Sequence, residues 1–279
     1  MPIGVQRTMM RTQRTLAMLA LTAAVGCSPM AESTTPTATH THILRLDVTT
    51  ASAPLGEVLF DAYMTDLAAP TIETVVANHT SLLQRLLTTE SDYMLSYHRP
   101  ATQDMWAAPI LQDGLAVFVH PDNPIESITT SQLRQLYQGF IDDWQQLSTF
   151  SQVVTVYSRE IGSGLRLEFE RLVMGPRQTS PNARSIPTVE AALESVRSDP
   201  GSIAYAPLSQ IDASVKLLRI DDVSPDATAI QENRYPLRLT LHLIGRRAPS
   251  NAYASFFNWL QSPSAEQVFV PLGGIPLAR

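Results

Sequence analysis

Arg159 stands three residues ahead of Gly162-Ser163-Gly164, a grouping suited to holding an oxyanion. Arginine supplies a fixed positive charge and a planar pair of donors, and serine adds a hydroxyl. Glycines let an anion come close to backbone N–H groups. If they also open a helix, its first N–H groups are unpaired and its dipole is positive at that end. The plainer reading is that Gly-Ser-Gly only makes the turn and Ser163 caps the helix behind it. Both readings stand on this segment alone. Two other chemistries do not: no Gly-Lys-Ser/Thr follows to cradle a nucleotide, and the Gly-x-Ser-x-Gly spacing of a nucleophile elbow is missing. A hydrolase using Ser163 lacks a base, because His40, His42, His79, His98, His120 and His242 show no spacing that pairs one with it. Asp142-Asp143 has no third metal ligand nearby, so a helix cap accounts for the pair better. No metal or other cofactor is expected.

The surrounding elements must hold this turn in place. Val153 to Tyr157 are β-branched or aromatic and read as a buried strand. From Leu165 the period becomes helical, with Leu165, Phe169, Leu172 and Val173 on one face and Gly175-Pro176 as the stop. The same strand, hydroxyl-rich turn, helix order occurs twice upstream. Strand Leu44 to Val48 leads through Thr49-Thr50 to a helix from about Leu55 to Leu67, and strand Thr74 to Ala77 leads through Asn78-His79-Thr80-Ser81 to a short helix. Tyr93 to Ser96 is a further strand. Such alternation predicts an α/β fold with a parallel sheet and ligands at the carboxyl ends of its strands. Downstream, Leu115 to Val119 is a strand and Thr129 or Thr130 caps a helix over Ser131 to Gln138. Thr188 caps another, Ile203 to Ala206, Val215 to Ile220 and Leu237 to Ile244 are strands, and Ser250 opens a helix carrying Tyr253, Phe256, Phe257 and Leu260.

At 279 residues, 44% hydrophobic and 16% charged, the chain can bury one large core or two modest ones. A net charge of −6 provides no global field for nucleic acid, so an anion site must be local. The N-terminal stretch has the form of an address. Arg7, Arg11 and Arg14 precede an apolar run from Leu16 to Val25 that is too short to span a bilayer, and the lone Cys27 follows Gly26. The series resembles a bacterial lipoprotein cleavage site, with Cys27 as the lipidated first residue of the mature chain. Ser28 to His42 then reads as a Ser/Thr/Pro-rich tether.

Val117-Phe118-Val119-His120-Pro121-Asp122-Asn123-Pro124, Ser158-Arg159 with Gly162-Ser163-Gly164, Pro200-Gly201-Ser202-Ile203-Ala204-Tyr205 and Tyr235-Pro236-Leu237 resemble segments of the bacterial phosphate-binding protein family, the receptors of the ABC phosphate importer. The resemblance implies a two-lobe type 2 periplasmic-binding-protein fold. Each lobe would be a mostly parallel sheet flanked by helices, with the ligand cleft between them. It places residues 1–27 as signal, 28–42 as tether, 43–116 with 237–279 as one lobe and 117–236 as the other. Ligand groups carried over are Thr49, Thr50, Thr80, Ser81, Ser96, Arg159, Ser163, Gly164 and Leu165. The sequence departs from the pattern at Leu165, where the family usually has Thr, and at Tyr97, where it carries a proton-accepting Asp. The implied function is a monomeric, non-enzymatic solute receptor on the outer face of the cytoplasmic membrane. It would capture phosphate or a related oxyanion for ABC permease subunits. The alternative is a degenerate member serving as an envelope sensor or interaction module.

Overall fold

Leu44, Leu46 and Val48 are fully buried in the first strand, β1 (Leu44–Thr49), and the rest of the first lobe assembles around it. The computed structural model describes residues 43–66, 70–101 and 104–278; the leader, Cys27 and the tether lie outside them. Helix α1 (Ala53–Asp66) follows, then the short strands β2 (Ile72–Glu73) and β3 (Val76–Ala77), helix α2 (His79–Leu87) and β4 (Tyr93–Ser96). The long strand β5 (Trp106–Val119) leads through β6 (Ser127–Ile128) and α3 (Thr130–Gln138) to β7 (Thr155–Arg159) and α4 (Gly164–Phe169). Next come β8 (Arg184–Ile186), α5 (Val189–Ser198), β9 (Ser202–Pro207), β10 (Lys216–Leu217), β11 (Arg219–Ile220) and α6 (Ala227–Gln231). Strand β12 (Arg238–Gly245) and helices α7 (Asn251–Leu260) and α8 (Pro263–Phe269) complete the chain.

Among the described residues the main sheet has ten strands in the order β2-β1-β4-β12-β5-β9-β7-β8, with β3 also on β1 and β10 on β5. Strands β1 to β4 pair in parallel, as do β7, β8 and β9; every antiparallel pairing involves β5 or β12. Strand β5 is shared. Trp106 to Gly114 pair with β12, and Leu115 to Val119 pair with β9. The chain therefore forms two groups of strands, here the first and second lobes, joined through the middle of β5. The sequence shows only the second half of this strand, because Pro109 breaks the pattern that marks a central strand. Pro109 is tolerated beside a register shift in β12 between Leu241 and His242.

The central turn is fixed from behind by aromatic packing. Phe169 of α4 stacks on Tyr205 of β9 at 4.2 Å and meets Tyr137 of α3 at 4.3 Å. Strand β7 starts at Thr155 rather than Val153, since Thr155 is the first residue with a partner, Ser202, on β9; Val153 is exposed. Helix α4 continues as a π turn over Glu170–Met174 and stops at Gly175, whose φ of 61° only glycine adopts readily. Asp143 caps a 3₁₀ turn at Trp144–Gln146 with its side chain accepting from the Gln145 N–H, so the paired carboxylates do have a structural use.

Candidate functional site

Arg159 ends β7 and is buried, at 1% exposure. Its Nε donates to Glu160 Oε2 at 3.2 Å and its Nη2 to the carbonyl of Pro187. Its Nη1 is buried and has no partner among the described residues. A buried guanidinium N–H left unpaired is costly and marks a place where an acceptor belongs. Four residues on, Ser163 occupies the N-cap position of α4 with extended backbone, yet its hydroxyl makes no capping bond. The plain cap is therefore not how the side chain is used. Gly162, at φ 88°, makes the sharp turn between them.

The turns after β3 and β4 press against this one. The Thr80 N–H donates to the Gly162 carbonyl at 3.1 Å. A Cβ on Gly164 would lie 3.1 Å from Ser96 Oγ, 3.3 Å from His79 Cβ and 3.5 Å from His98 Cβ, so the glycine allows the two lobes to meet. Ser96 Oγ in turn accepts from the His98 N–H at 3.1 Å and sits 2.9 Å from His79 Nδ1. In the first turn, the buried Thr49 hydroxyl bonds that of Ser52, while Thr50 is half-buried and donates its N–H to Ala77 at 3.0 Å. Leu165 is buried at 1%, its side chain spent on the core.

Of the candidate ligand groups, Ser96 and Gly164 are thus in contact, Thr80 touches Gly162, and Arg159 and Ser163 flank the same turn. Thr49 and Thr50 sit in the neighbouring first turn. Ser81 stands apart: it is exposed, and its N–H is taken by the Asn78 cap at 2.9 Å. The residue that the second turn buries is His79, at 2% exposure. Sequence reasoning missed His79, His98 and Ser52. The helix start at His79 was the available signal, since Asn78 is a strong cap and places the next side chain at the turn.

Tyr97 is turned away from this junction. Its hydroxyl donates to Asp113 Oδ2 at 2.9 Å, inside the protein. Burial pushes Asp113 above the ordinary carboxylate range, against the opposing effect of bonds from Ser209, Tyr97 and Gly114. Burial, aided by the nearby His98, lowers His79 to about 4. Burial also lowers His242, against the opposing effect of a Thr240 backbone hydrogen bond. Glu168 lies below its ordinary value: burial alone would raise it, but bonds from His98 and Arg171 prevail. At neutral pH the junction therefore presents, among the described residues, hydroxyls, a neutral His79, a Glu168 carboxylate already held by His98 and Arg171, and a spare arginine donor on Arg159. That suits an anion better than a cation. Among the described residues, no three His, Cys, Asp or Glu side chains are placed to hold a metal, and no helix is long and apolar enough to cross a membrane.

A PBP superfamily domain matches residues 32–264. The chain is 24% identical over 173 residues to the phosphate-binding protein PstS of Bacillus subtilis, covering 60% of this chain and 57% of that one. It is 26% identical over 199 residues to the PstS of Pseudomonas aeruginosa, covering 61% and 60%. The chain thus spans less than two thirds of the length of these curated relatives. Among solved structures it is similar to a candidate phosphate ABC transporter substrate-binding protein from Clostridium perfringens with bound phosphate. There the TM-score is 0.78 at 19% identity, covering 85% of this chain and 100% of that one.

Proposed function

Since the chain belongs to the PBP superfamily and has its two-lobe α/β fold, we propose that it is an extracytoplasmic receptor for phosphate or a related oxyanion, delivering to an ABC permease. Residues 43–116 with 237–279 form one lobe in this reading and 117–236 the other. The observation that carries it is the unpartnered, buried Nη1 of Arg159 beside an uncapped Ser163. An oxyanion would supply the missing acceptor through a charge-assisted bond. Ser163, Ser96, Thr49, Thr50 and Thr80, with the backbone of Gly164 and Leu165, are the neutral donors proposed around it. Ser81 completes the set only if the second turn shifts. The protein binds and releases its solute without transforming it. Lipid on Cys27 would hold it at the outer face of the cytoplasmic membrane.

The relatives named as phosphate-binding proteins favour phosphate among the oxyanions. Tyr97 leaves open an acceptor for the proton of hydrogen phosphate, so the panel of anions tested must be wider. A second reading, a sensor or interaction module with an altered cleft, is favoured by His79 and His98 packing directly on Gly164. Calorimetry of the purified protein with phosphate, sulfate, arsenate, molybdate and tungstate separates the two. Saturable one-to-one binding of any of these supports the receptor; heats of dilution alone for all five support the module.

A further inference from the structure

Glu168 lies on α4 of the second lobe, one turn beyond the Gly162-Ser163-Gly164 bend. Its Oε1 is 2.7 Å from His98 Nδ1, in the first-lobe turn after β4. Its Oε2 accepts from Arg171 Nη2 at 2.6 Å and Nε at 3.0 Å, which fixes the carboxylate in place. The His98 and Glu168 side chains are only 21% and 7% exposed, so water competes for this hydrogen bond much less than it would at the surface. Behind His98, the His79 ring stands edge-on at 5.0 Å, and His79 is bonded to Ser96. A continuous line of contacts, Arg171 to Glu168 to His98 to His79 to Ser96, therefore crosses from one lobe to the other. The nearby pair Arg166–Glu170 stays within the second lobe. Two other crossings, Thr80 N–H to Gly162 and Gln210 Nε2 to Ala51, end on backbone carbonyls.

We infer that His98 and Glu168 are positioning residues: a latch that draws the lobes together and sets the α4 turn against the first lobe. Its consequence for solute binding rests on the receptor reading, but its effect on lobe closure does not. The ionisable and charged groups around the pair are Arg171 on the π turn after α4, His79 on α2, and His242 and Arg99, which lie within electrostatic reach of Glu168 or of one another. Neither latch residue is among the proposed solute contacts.

The test compares the full chain with Glu168→Gln, Glu168→Ala and His98→Gln. Small-angle scattering without solute should show a larger radius of gyration for Glu168→Ala and His98→Gln, with Glu168→Gln, which keeps one hydrogen bond, in between. With phosphate as the probe, dissociation should quicken roughly tenfold in Glu168→Ala while association changes little, the pattern of a lost partly buried contact. A bridge that only stabilises the fold would lower the melting temperature and leave both the radius and the dissociation rate at wild-type values. That outcome, in variants shown by circular dichroism to be folded, overturns the latch. If neither phosphate nor any of the other four oxyanions binds wild type, the receptor reading is at fault and the scattering comparison alone decides the latch.

Discussion

Ser209 and Asp113 are joined twice across the point where β5 passes from one lobe to the other. The Ser209 hydroxyl donates to Asp113 Oδ2 at 2.6 Å, and its N–H donates to Oδ1 at 3.2 Å. Tyr97 and the Gly114 N–H complete the set, so a fully buried carboxylate is surrounded by donors. Ser209→Ala and Tyr97→Phe each remove one bond to a buried acid and should cost about 1.5–3 kcal/mol in chemical denaturation. Tyr97→Asp, which restores a family residue, should cost at least as much, because it sets a second carboxyl beside Asp113. Wild-type stability in Tyr97→Asp would show that Tyr97 does not pin the crossover.

His79 makes stability depend on pH in a defined window. Its folded value of about 4 lies below the unfolded 6.5, so the unfolded chain binds the extra proton between these values. Stability therefore rises with pH across that window and falls as pH drops through it, by about 3 kcal/mol for this group. His242 is shifted in the same direction. Urea midpoints from pH 7 to pH 4 should fall steeply in wild type and less so in His79→Asn. Equal slopes in the two proteins would contradict the assignment.

Gly164 has ordinary backbone geometry, so alanine there should leave the fold intact. The added methyl would press on Ser96, His79 and His98 at 3.1–3.5 Å and hold the lobes slightly apart. Gly164→Ala should keep its circular dichroism spectrum and gain radius of gyration in scattering. An unchanged radius would mean that the junction yields at no cost.

The address is independent of the cleft. Cys27→Ser should move the protein from the membrane fraction to the soluble extracytoplasmic fraction, and mass spectrometry of wild type should find acyl chains on Cys27. A serine variant that stays on membranes would count against the anchor.

The strand and helix alternation of the first lobe was legible because its apolar periods are clean. Leu44 to Val48 and Tyr93 to Ser96 fall within or on β1 and β4, and Thr129 caps α3 as its sequence suggests. The first half of β5 was not legible, since Trp106-Ala107-Ala108-Pro109 lacks alternation and is made a strand by its partner β12. In the site, Arg159 and the glycine turn stood out by residue type. Partnerships between distant residues did not. Nothing local to His98 announces Glu168, and Tyr97 finds Asp113 only through the sheet. His79 was obscured by Thr80 and Ser81, whose hydroxyls match the expected chemistry better although both residues are exposed.

Arg159 is the residue proposed to hold the oxyanion. Calorimetric titration of phosphate into wild type and Arg159→Ala, with the exposed Arg177→Ala as control, tests it most directly. Arg166 is unsuitable as a control, because its Nη1 donates to the Arg159 carbonyl at 3.0 Å. The expected result is one site in wild type and in Arg177→Ala, with Arg159→Ala weakened by about 2–5 kcal/mol, as for removing one partner of a buried charge pair. Arg159→Lys should recover only part, since an ammonium cannot reproduce the planar fork. Undiminished phosphate binding by a folded Arg159→Ala would contradict the account.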